Sequence, residues 1–364
     1  MSNTFSIDTH KLSQHPKRVS EWLDGHKDWN DAKKIYPIYM EISPVGACNH
    51  RCTFCSVDYI GYKTRYLPYE PLLKNISEMA KNGVRSLMFA GEGEPALYKK
   101  LPEVLEHCSS VGIDTSLTTN MVPFTKKNVE SFVRNCKWIK TSINAGSAEA
   151  YGKIHQTKEK DFYRVLDNFS LSIDTRNRNN YECTIGGQIL LLPDNAETVV
   201  DLANELKNRG VDYLVVKPYT QSLYGNSTLY KGLKYGQFDS LEQELKEIET
   251  SEFRIIYRKN AMQKLHEKDR AYPVCNATPF FWAYVMANGD LYACSAYLQD
   301  ERFCIGNINE TSFQQLWEGN KRKEIFEFVA KDLDISKCRV NCRMDSVNRY
   351  LWSLENPDSH VNFI

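Results

Sequence analysis

The 364-residue sequence predicts an α/β protein with a parallel sheet, followed by a small cysteine-rich domain. From residue 35 onward, short apolar runs alternate with longer amphipathic stretches, in six consecutive strand-helix units. After residue 271 the composition shifts to cysteine and aromatic residues. Right-handed crossovers between consecutive strands imply a parallel sheet, either open and doubly wound or curled into part of a barrel.

Each unit pairs an apolar strand with an amphipathic helix. The strands are predicted at IYPIYMEIS, RSLMFA, residues 113–118, WIKTSI, GGQILLL and VDYLVVK. The helices are predicted at 69–82, 101–111 and 126–135, after Ser147 and Asp161, and at 195–208. Gly210 follows the last helix, and a glycine there readily adopts the left-handed conformation that ends a helix.

These patterns divide the chain into four segments. Residues 1–34 are predicted to be a peripheral N-terminal extension, too short for a folded domain of its own. The six units occupy 35–223, and a charged linking segment at 224–270 contains a helix at 240–248 and the short strand FRIIYRK. The cysteine-rich domain occupies 271–364, with a β-hairpin in FFWAYVMANGDLYAC and a helix at 313–330.

Charge and hydrophobicity exclude several classes of partner. The 46 basic residues equal the 46 acidic ones, whereas a nucleic-acid-binding protein normally carries a basic excess. No apolar run approaches the ~18 residues of a membrane span, and the first residues lack a signal-peptide core. We therefore predict a cytoplasmic protein with neither nucleic acid nor membrane as partner. Without an export signal, the eleven cysteines are expected to be metal ligands or buried thiols.

The stretch CNHRCTFC places Cys48, Cys52 and Cys55 on one short loop after the first strand. Thiolates hold zinc ions and iron-sulfur cubes, and both normally take four protein ligands. Three cysteines would leave one iron of a cube open, as a catalytic metal site requires. His50 is the nearby candidate for a fourth zinc ligand, and we expect it to point to solvent.

Polar residues and glycines follow each of the later strands. The carboxyl ends of parallel strands share one edge of a sheet, where ligands bind. Each residue alone fits a turn or a helix cap, but their convergence on one edge favours a site. The set consists of Gly91, Gly93, Glu94, Asn120, Ser142, Asn144, Asp194, Asn195 and Lys217.

A second group of cysteines lies in the C-terminal domain. The predicted hairpin brings Cys275 near Cys294, and Cys338 and Cys342, four residues apart, can face the same point. Four thiolates would close a metal site completely. A structural zinc site is the alternative that the sequence leaves open for this group.

The remaining cysteines are predicted to lie outside both groups. Cys108, Cys136 and Cys183 fall in or beside predicted helices and strands, where a free cysteine packs like a small apolar residue. Cys304 is the additional cysteine of the C-terminal domain, and a free thiol close to a substrate could donate a hydrogen atom.

The loop CNHRCTFC resembles the CxxxCxΦC signature of the radical S-adenosylmethionine (radical SAM) superfamily, with Phe54 at the aromatic position. The stretch GEGEP at 91–95 resembles the superfamily's glycine-glycine-glutamate loop. The resemblance implies a partial (β/α)6 barrel and a [4Fe-4S] cluster whose open iron is chelated by S-adenosylmethionine. One electron would then cleave this cofactor to a 5′-deoxyadenosyl radical that abstracts hydrogen from a substrate.

The same resemblance implies roles for individual residues. Glu94 and the GEGEP backbone, with Gly91 and Gly93, would hold the amino group of S-adenosylmethionine, and Phe54 would neighbour the adenine. The candidates for ribose, carboxylate or substrate contacts are Asn120, Ser142, Asn144 and Lys217. The C-terminal domain resembles the SPASM/twitch type but has fewer late cysteines than a full SPASM pattern, which implies one auxiliary [4Fe-4S] cluster on Cys275, Cys294, Cys338 and Cys342.

Three functions follow from these observations. The leading hypothesis is oxidation of a small polar substrate, such as a sugar, aminocyclitol or nucleotide-linked sugar, with the auxiliary cluster taking an electron and with reduced flavodoxin or ferredoxin as electron donor. The second is modification or epimerisation of a ribosomally made peptide; Cys304 or Cys183 would be the hydrogen donor in an epimerisation. The third is a non-enzymatic zinc-binding protein.

Overall fold

A computed structural model describes residues 5, 7, 9–265, 270–278 and 280–363. It contains one ten-stranded sheet, in which the strand order is β10-β9-β8-β1-β2-β3-β4-β5-β6-β7. The strands are β1 (Tyr39–Ile42), β2 (Ser86–Phe89), β3 (Asp114–Thr119), β4 (Cys136–Ser142), β5 (Thr184–Leu191), β6 (Tyr213–Pro218), β7 (Arg254–Tyr257), β8 (Trp282–Val285), β9 (Asp290–Tyr292) and β10 (Cys304–Asn307).

Helices cover the sheet and connect its strands. They are α1 (Pro16–Gly25), α2 (Trp29–Ala32), α3 (Tyr69–Lys81), α4 (Leu101–Ser110), α5 (Val129–Asn135), α6 (Ala148–His155), α7 (Lys160–Asn179), α8 (Val199–Asn208), α9 (Asp239–Ile248), α10 (Lys259–Gln263), α11 (Phe313–Trp317), α12 (Asn320–Lys331) and α13 (Asp345–Glu355). Among the helices of the described residues, none combines the length and the apolar character that crossing a bilayer requires.

The topology confirms a partial barrel of parallel strands. Strands β1 to β7 lie side by side in chain order, and each pair runs parallel. Strand β8 pairs in parallel with the other side of β1, and β9 and β10 follow it antiparallel. The sheet is open between β7 and β10, so the barrel is not closed.

Three predicted elements differ in detail. The segment FRIIYRK, predicted in a linker, forms β7 and extends the parallel sheet. The hairpin β8-β9 joins the barrel sheet beside β1 rather than forming a sheet of its own. The helix predicted at 313–330 is interrupted between α11 and α12 at Gly319, where the backbone is extended and a β-carbon would lie 2.7 Å from the Gln315 carbonyl oxygen.

The N-terminal extension is less peripheral than predicted. Trp22 of α1 is fully buried in an apolar cluster with Phe280, Phe281 and Leu351 of the C-terminal domain. The ring of Phe5 lies 4.9 Å from that of Tyr213 in β6. Contacts with both parts of the chain therefore hold the extension in place.

The two groups of cysteines lie at opposite ends of the sheet. The loop with the first group follows the carboxyl end of β1. Strand β9 runs back along β8, with Tyr292 opposite Tyr284, so Cys294 returns to the level of Trp282 at the amino end of β8. The interior of the partial barrel separates the two groups.

Candidate functional site

The loop with Cys48, Cys52 and Cys55 is held against the carboxyl end of α6. The backbone amides of Arg51 and Thr53 donate hydrogen bonds to the carbonyls of His155 and Ile154, at 3.1 and 2.9 Å. The three thiols are partly buried. Burial raises the pKa of Cys48 to about 12, and the neighbouring Glu94 adds to this shift. These thiols therefore need a bound cation to become thiolates near neutral pH.

Two histidines lie beneath this loop. The prediction that His50 points to solvent is wrong, because the side chain is 1% exposed and packs against Tyr151 and His155. Nδ1 of His155 lies 3.1 Å from the Cys52 sulfur, and its Nε2 lies 2.8 Å from the Ile143 carbonyl oxygen, to which it donates. No sequence pattern pointed to His155, because its contact with the loop depends on how α6 packs.

Sulfur spacing bears on the choice between a zinc ion and a cluster. Tetrahedral zinc holds thiolates at about 2.3 Å, which places their sulfurs within about 3.8 Å of one another. Possible metal-ligand atoms are found on the side chains of His, Cys, Asp and Glu. In the described part of the chain, such atoms from three or more residues lie within 4.8 Å of one another only at His50, Cys52 and His155. Both cysteine groups are thus more widely spaced than one zinc ion requires, which suits a cube with iron at separate corners.

The glycine-containing loop at 91–95 packs closely on the chain that leads into the cysteine loop. A β-carbon on Gly93 would lie 2.3 Å from the Ala47 carbonyl oxygen, and one on Gly91 would lie 2.4 Å from Ser43. The Glu94 amide donates to the same Ala47 carbonyl at 2.9 Å. Only glycine allows this approach, so the two loops form one unit.

We expect Gly93→Ala to lower the melting temperature and the iron content of the purified protein. The added methyl group would collide with backbone, and overpacking of this kind costs about 1–3 kcal/mol. Gly236→Ala is the matched control, since a β-carbon at Gly236 meets nothing within 4 Å. Equal iron content in the two variants would contradict the expected coupling between the loops.

Glu94 joins the carboxyl ends of β2 and β3. One carboxylate oxygen accepts hydrogen bonds from Thr119 Oγ1 at 2.5 Å and the Ala96 amide at 3.0 Å, and the other accepts from the Asn120 amide at 2.6 Å. Burial raises the pKa of Glu94 to about 7, against the effect of these three donors. The Asn120 side-chain amide donates to Asn49 of the cysteine loop at 2.8 Å, which brings Glu94 and Asn120 to the predicted edge.

The other predicted residues occupy different positions at this edge. Asn144 is fully buried and accepts from the Leu190 amide at 2.8 Å, while its Nδ2 has no partner in the described part of the chain. Asn195 serves as a turn residue, because its side chain bonds the backbone of 144, 190 and 192. Phe54 packs in an apolar cluster with Ile154, Leu192, Tyr219 and Tyr230. Ser142 is half-buried at the end of β4.

A cavity of about 650 Å³ fills the interior of the partial barrel. Lys140 of β4 and Lys217 of β6 line its wall, and Cys275, Cys294, Cys338 and Cys342 line its far end. The sequence predicted Lys217 but missed Lys140, although a lysine two residues before Ser142 in a strand must face the same side. The cavity thus extends from Lys217, the one predicted edge residue in its described lining, to the second cysteine group.

The four cysteines of the C-terminal domain converge. Burial raises the pKa of Cys294 far above its usual range, and Cys342, Cys275 and Cys338 add to the shift as close neighbours. The Tyr297 hydroxyl lies 3.0 Å from the Cys338 sulfur. The Asn348 side-chain amide donates to the Cys275 sulfur at 3.5 Å.

The remaining cysteines lie away from the cavity. Cys108, Cys136 and Cys183 are buried in the apolar core, as predicted for packing residues. Cys183 precedes β5 at its amino end, opposite the cysteine loop, and so cannot donate hydrogen at that edge. Cys304 begins β10 beside Tyr292 and is not among the cavity-lining residues, which argues against the same role.

Comparison with known proteins agrees with this architecture. The profile of the radical SAM superfamily matches residues 42–214, and that of the SPASM iron-sulfur cluster-binding domain matches residues 275–343. An S-adenosylmethionine-dependent nucleotide dehydratase of Lacinutrix mariniflava is 33% identical over 116 residues, which are 29% of this chain and 23% of that protein. The chain spans 23% to 31% of the length of this relative and of two others, a GTP 3′,8-cyclase of Chlorobaculum tepidum and a tRNA-2-methylthio-N(6)-dimethylallyladenosine synthase of Thermotoga petrophila.

Two solved structures share the fold. SuiB of Streptococcus suis, bound to its precursor peptide SuiA, has a TM-score of 0.66 at 17% identity, over 90% of this chain and 76% of SuiB. The enzyme anSMEcpe with bound AdoMet and a peptide has a TM-score of 0.57 at 21% identity, over 88% of this chain and 95% of that one.

The two profiles cover the barrel and the cysteine-rich domain separately. They do not support the hypothesis of a non-enzymatic zinc-binding protein, because one describes the radical SAM superfamily and the other an iron-sulfur cluster-binding domain. The chain belongs to the radical SAM superfamily and carries a C-terminal iron-sulfur cluster-binding domain of the SPASM type.

Proposed function

We propose that this enzyme oxidises a small polar substrate, such as a sugar, aminocyclitol or nucleotide-linked sugar. The observation that carries the proposal is the cavity in the interior of the partial barrel, which the second cysteine group lines. Its volume of about 650 Å³ lies within the range of about 300–1,000 Å³ that small-molecule sites occupy. S-adenosylmethionine on a cluster held by Cys48, Cys52 and Cys55 would supply a 5′-deoxyadenosyl radical, which takes a hydrogen atom from the substrate.

The residues at the carboxyl edge would orient this cofactor. The buried Glu94 carboxylate is suited to an ammonium group, and the close backbone at Gly91 and Gly93 lets main-chain groups approach a ligand. Phe54 offers an apolar surface for the adenine. The further polar contacts that we propose, to ribose, carboxylate or substrate, come from Asn120, Ser142, Asn144 and Lys217.

The second cysteine group would complete the oxidation. Four thiolates on one auxiliary [4Fe-4S] cluster leave no iron open, which suits electron transfer better than substrate binding. This cluster would supply the electron acceptor at the far end of the cavity. The substrate would then lose one hydrogen atom to the cofactor radical, one electron to this acceptor and one proton to solvent, a balanced two-electron oxidation. Reduced flavodoxin or ferredoxin in the cytoplasm would be the electron donor.

An anaerobic assay with reduced flavodoxin tests the proposal. Small substrates, nucleotide-linked sugars among them, are screened for production of 5′-deoxyadenosine. We expect equimolar 5′-deoxyadenosine and a product lighter by two hydrogen atoms. Solvent deuterium at an otherwise unchanged carbon would instead indicate epimerisation.

The alternative is modification or epimerisation of a ribosomally made peptide. The similarity of fold to SuiB, which binds a precursor peptide, is the observation that favours it. Turnover of a peptide precursor with none of any small molecule would decide for this alternative and against the oxidation of a small substrate.

A further inference from the structure

The wall of the cavity carries a concentration of positive charge. Of the described residues that line it, eight are basic and one, Asp345, is acidic, although the whole chain has a formal net charge of zero. We call its inner part, which the cysteine-rich domain closes at one side, the basic cavity. The basic cavity is defined by four cationic side chains: Lys140, Lys217, Arg339 and Arg343.

The two lysines of the basic cavity lack an acceptor. Among the described residues, none forms a hydrogen bond or an ion pair with Lys140 or Lys217. Burial lowers the pKa of Lys217 far below its usual range, and the positive charge of Lys140 lowers it further. Burial also lowers the pKa of Lys140 to about 8, with Arg343 as the next cause. Each lysine is therefore destabilised by burial and by like charge.

The nearby carboxylate does not neutralise this charge. Glu41 of β1 accepts hydrogen bonds from Arg343 and from the Tyr39 hydroxyl, both at Oε1, and its charge is paired with that of Arg343. It raises the pKa of Lys140, but by less than burial and Arg343 lower it. Arg339 donates one hydrogen bond to the Thr220 carbonyl, while its buried Nε has no partner in the described part of the chain.

We propose that the basic cavity binds a phosphate or diphosphate group of the substrate, with Lys140 and Lys217 as its principal ligands. Among the described residues, neither lysine has an anionic partner, and a single substrate carboxylate would balance only one of their two charges. A phosphate ester carries a charge of about −1.5 to −2 at pH 7, with several acceptor oxygens for ammonium and guanidinium groups. This inference rests on the proposed function, because it names a substrate class for the same cavity.

The positions of the two lysines would also orient the bound substrate. Lys217 lies near the carboxyl end of β6, and Lys140 lies deeper in β4, level with Gly186 and Tyr213. A phosphate held between them would keep the rest of a nucleotide-linked sugar within the interior, between the cofactor edge and the auxiliary cysteines. The charge would thus fix which carbon of the substrate meets the radical.

Calorimetric titration of the cluster-loaded protein with inorganic pyrophosphate under anaerobic conditions tests this inference. We expect one site per chain in the native protein and, in the double variant Lys140→Met/Lys217→Met, binding weaker by at least about tenfold, since two charge-assisted contacts are lost. Lys321→Met is the matched control, because Lys321 is 61% exposed on α12 and pairs only with Glu324. Equal affinity in the double variant and the native protein would overturn the inference.

Two competition measurements distinguish a phosphate site from a carboxylate site. Saturating S-adenosylmethionine should leave pyrophosphate binding intact, whereas competitive displacement would assign the lysines to the carboxylate of the cofactor and overturn the inference. Sodium succinate should bind at least about tenfold more weakly than pyrophosphate, and equal binding would show a site for carboxylates instead.

Thermal melting shows whether the variants are correctly folded. Pyrophosphate should raise the melting temperature of the native protein and of Lys321→Met but not that of the double variant. The melting temperature of the double variant alone should equal or exceed the native value, because like charges that repel one another are removed. A native protein that cleaves S-adenosylmethionine but does not bind pyrophosphate would refute this inference alone. One that binds pyrophosphate without cleaving S-adenosylmethionine would refute the proposed function alone.

Discussion

Replacement of Cys48, Cys52 and Cys55 together by alanine is expected to abolish reductive cleavage of S-adenosylmethionine. The three thiols are the cysteines on the loop at the carboxyl end of β1, and without them nothing holds the first cluster. Iron content should fall from about eight to about four atoms per chain, as two [4Fe-4S] clusters become one. The measurements are iron analysis and 5′-deoxyadenosine production with dithionite as reductant.

Cys108→Ala is the control for this triple variant. Cys108 is also a free thiol, but it is fully buried in α4 among apolar residues. Its loss should leave the iron content at about eight atoms per chain. Cleavage of S-adenosylmethionine by the triple variant at the native rate would contradict the assignment of these cysteines as ligands of the first cluster.

Replacement of Cys338 and Cys342 by alanine is expected to remove the auxiliary cluster and spare the first. These thiols lie at the far end of the cavity, beside Cys275 and Cys294. Iron should again fall by about four atoms per chain, and oxidation of substrate should be lost because the electron left on the substrate has no acceptor. Iron analysis and electron paramagnetic resonance of the reduced protein distinguish the two clusters.

Cys304→Ala is the matched control for this double variant, since Cys304 lies in the same domain but on β10, away from the cavity. It should keep the full iron content. If the double variant also kept its full iron content, the C-terminal cysteines would not be cluster ligands. The same result would remove the auxiliary cluster from the proposed oxidation.

Most of the architecture could be predicted from local pattern. The alternation of apolar strands and amphipathic helices predicted the six parallel strands, because each such strand must be covered on both faces. The break between α11 and α12 escaped prediction, since the apolar periodicity continues across Gly319. The parallel pairing of β8 with β1 also escaped, because strands distant in sequence show no local signal of which neighbour they choose.

The candidate site was predicted unevenly. The sequence predicted that Glu94 and Asn120 lie at one edge of the sheet, and the Asn120 amide donates a hydrogen bond to Glu94 there. The Asn120 side chain also donates to Asn49 of the cysteine loop. The sequence led us to expect His50 to be exposed to solvent, whereas α6 covers that side chain. It offered Cys183 as a hydrogen donor, although Cys183 lies at the amino end of β5. Errors of this kind arise where a role depends on packing between elements.

By itself, the sequence determined which kinds of metal group the protein can bind. Three closely spaced cysteines follow a buried strand, and four more lie in the C-terminal domain. Residue type and short-range spacing alone indicate that these cysteines are ligands of zinc ions or iron-sulfur clusters. Only the tertiary structure decided that Lys140, Lys217 and Arg343 face one cavity, which the C-terminal cysteines also line. Lys140 and Lys217 meet because a parallel sheet curls and brings alternate side chains of several strands to one interior. Arg343 joins them because the segment before α13 closes the same interior.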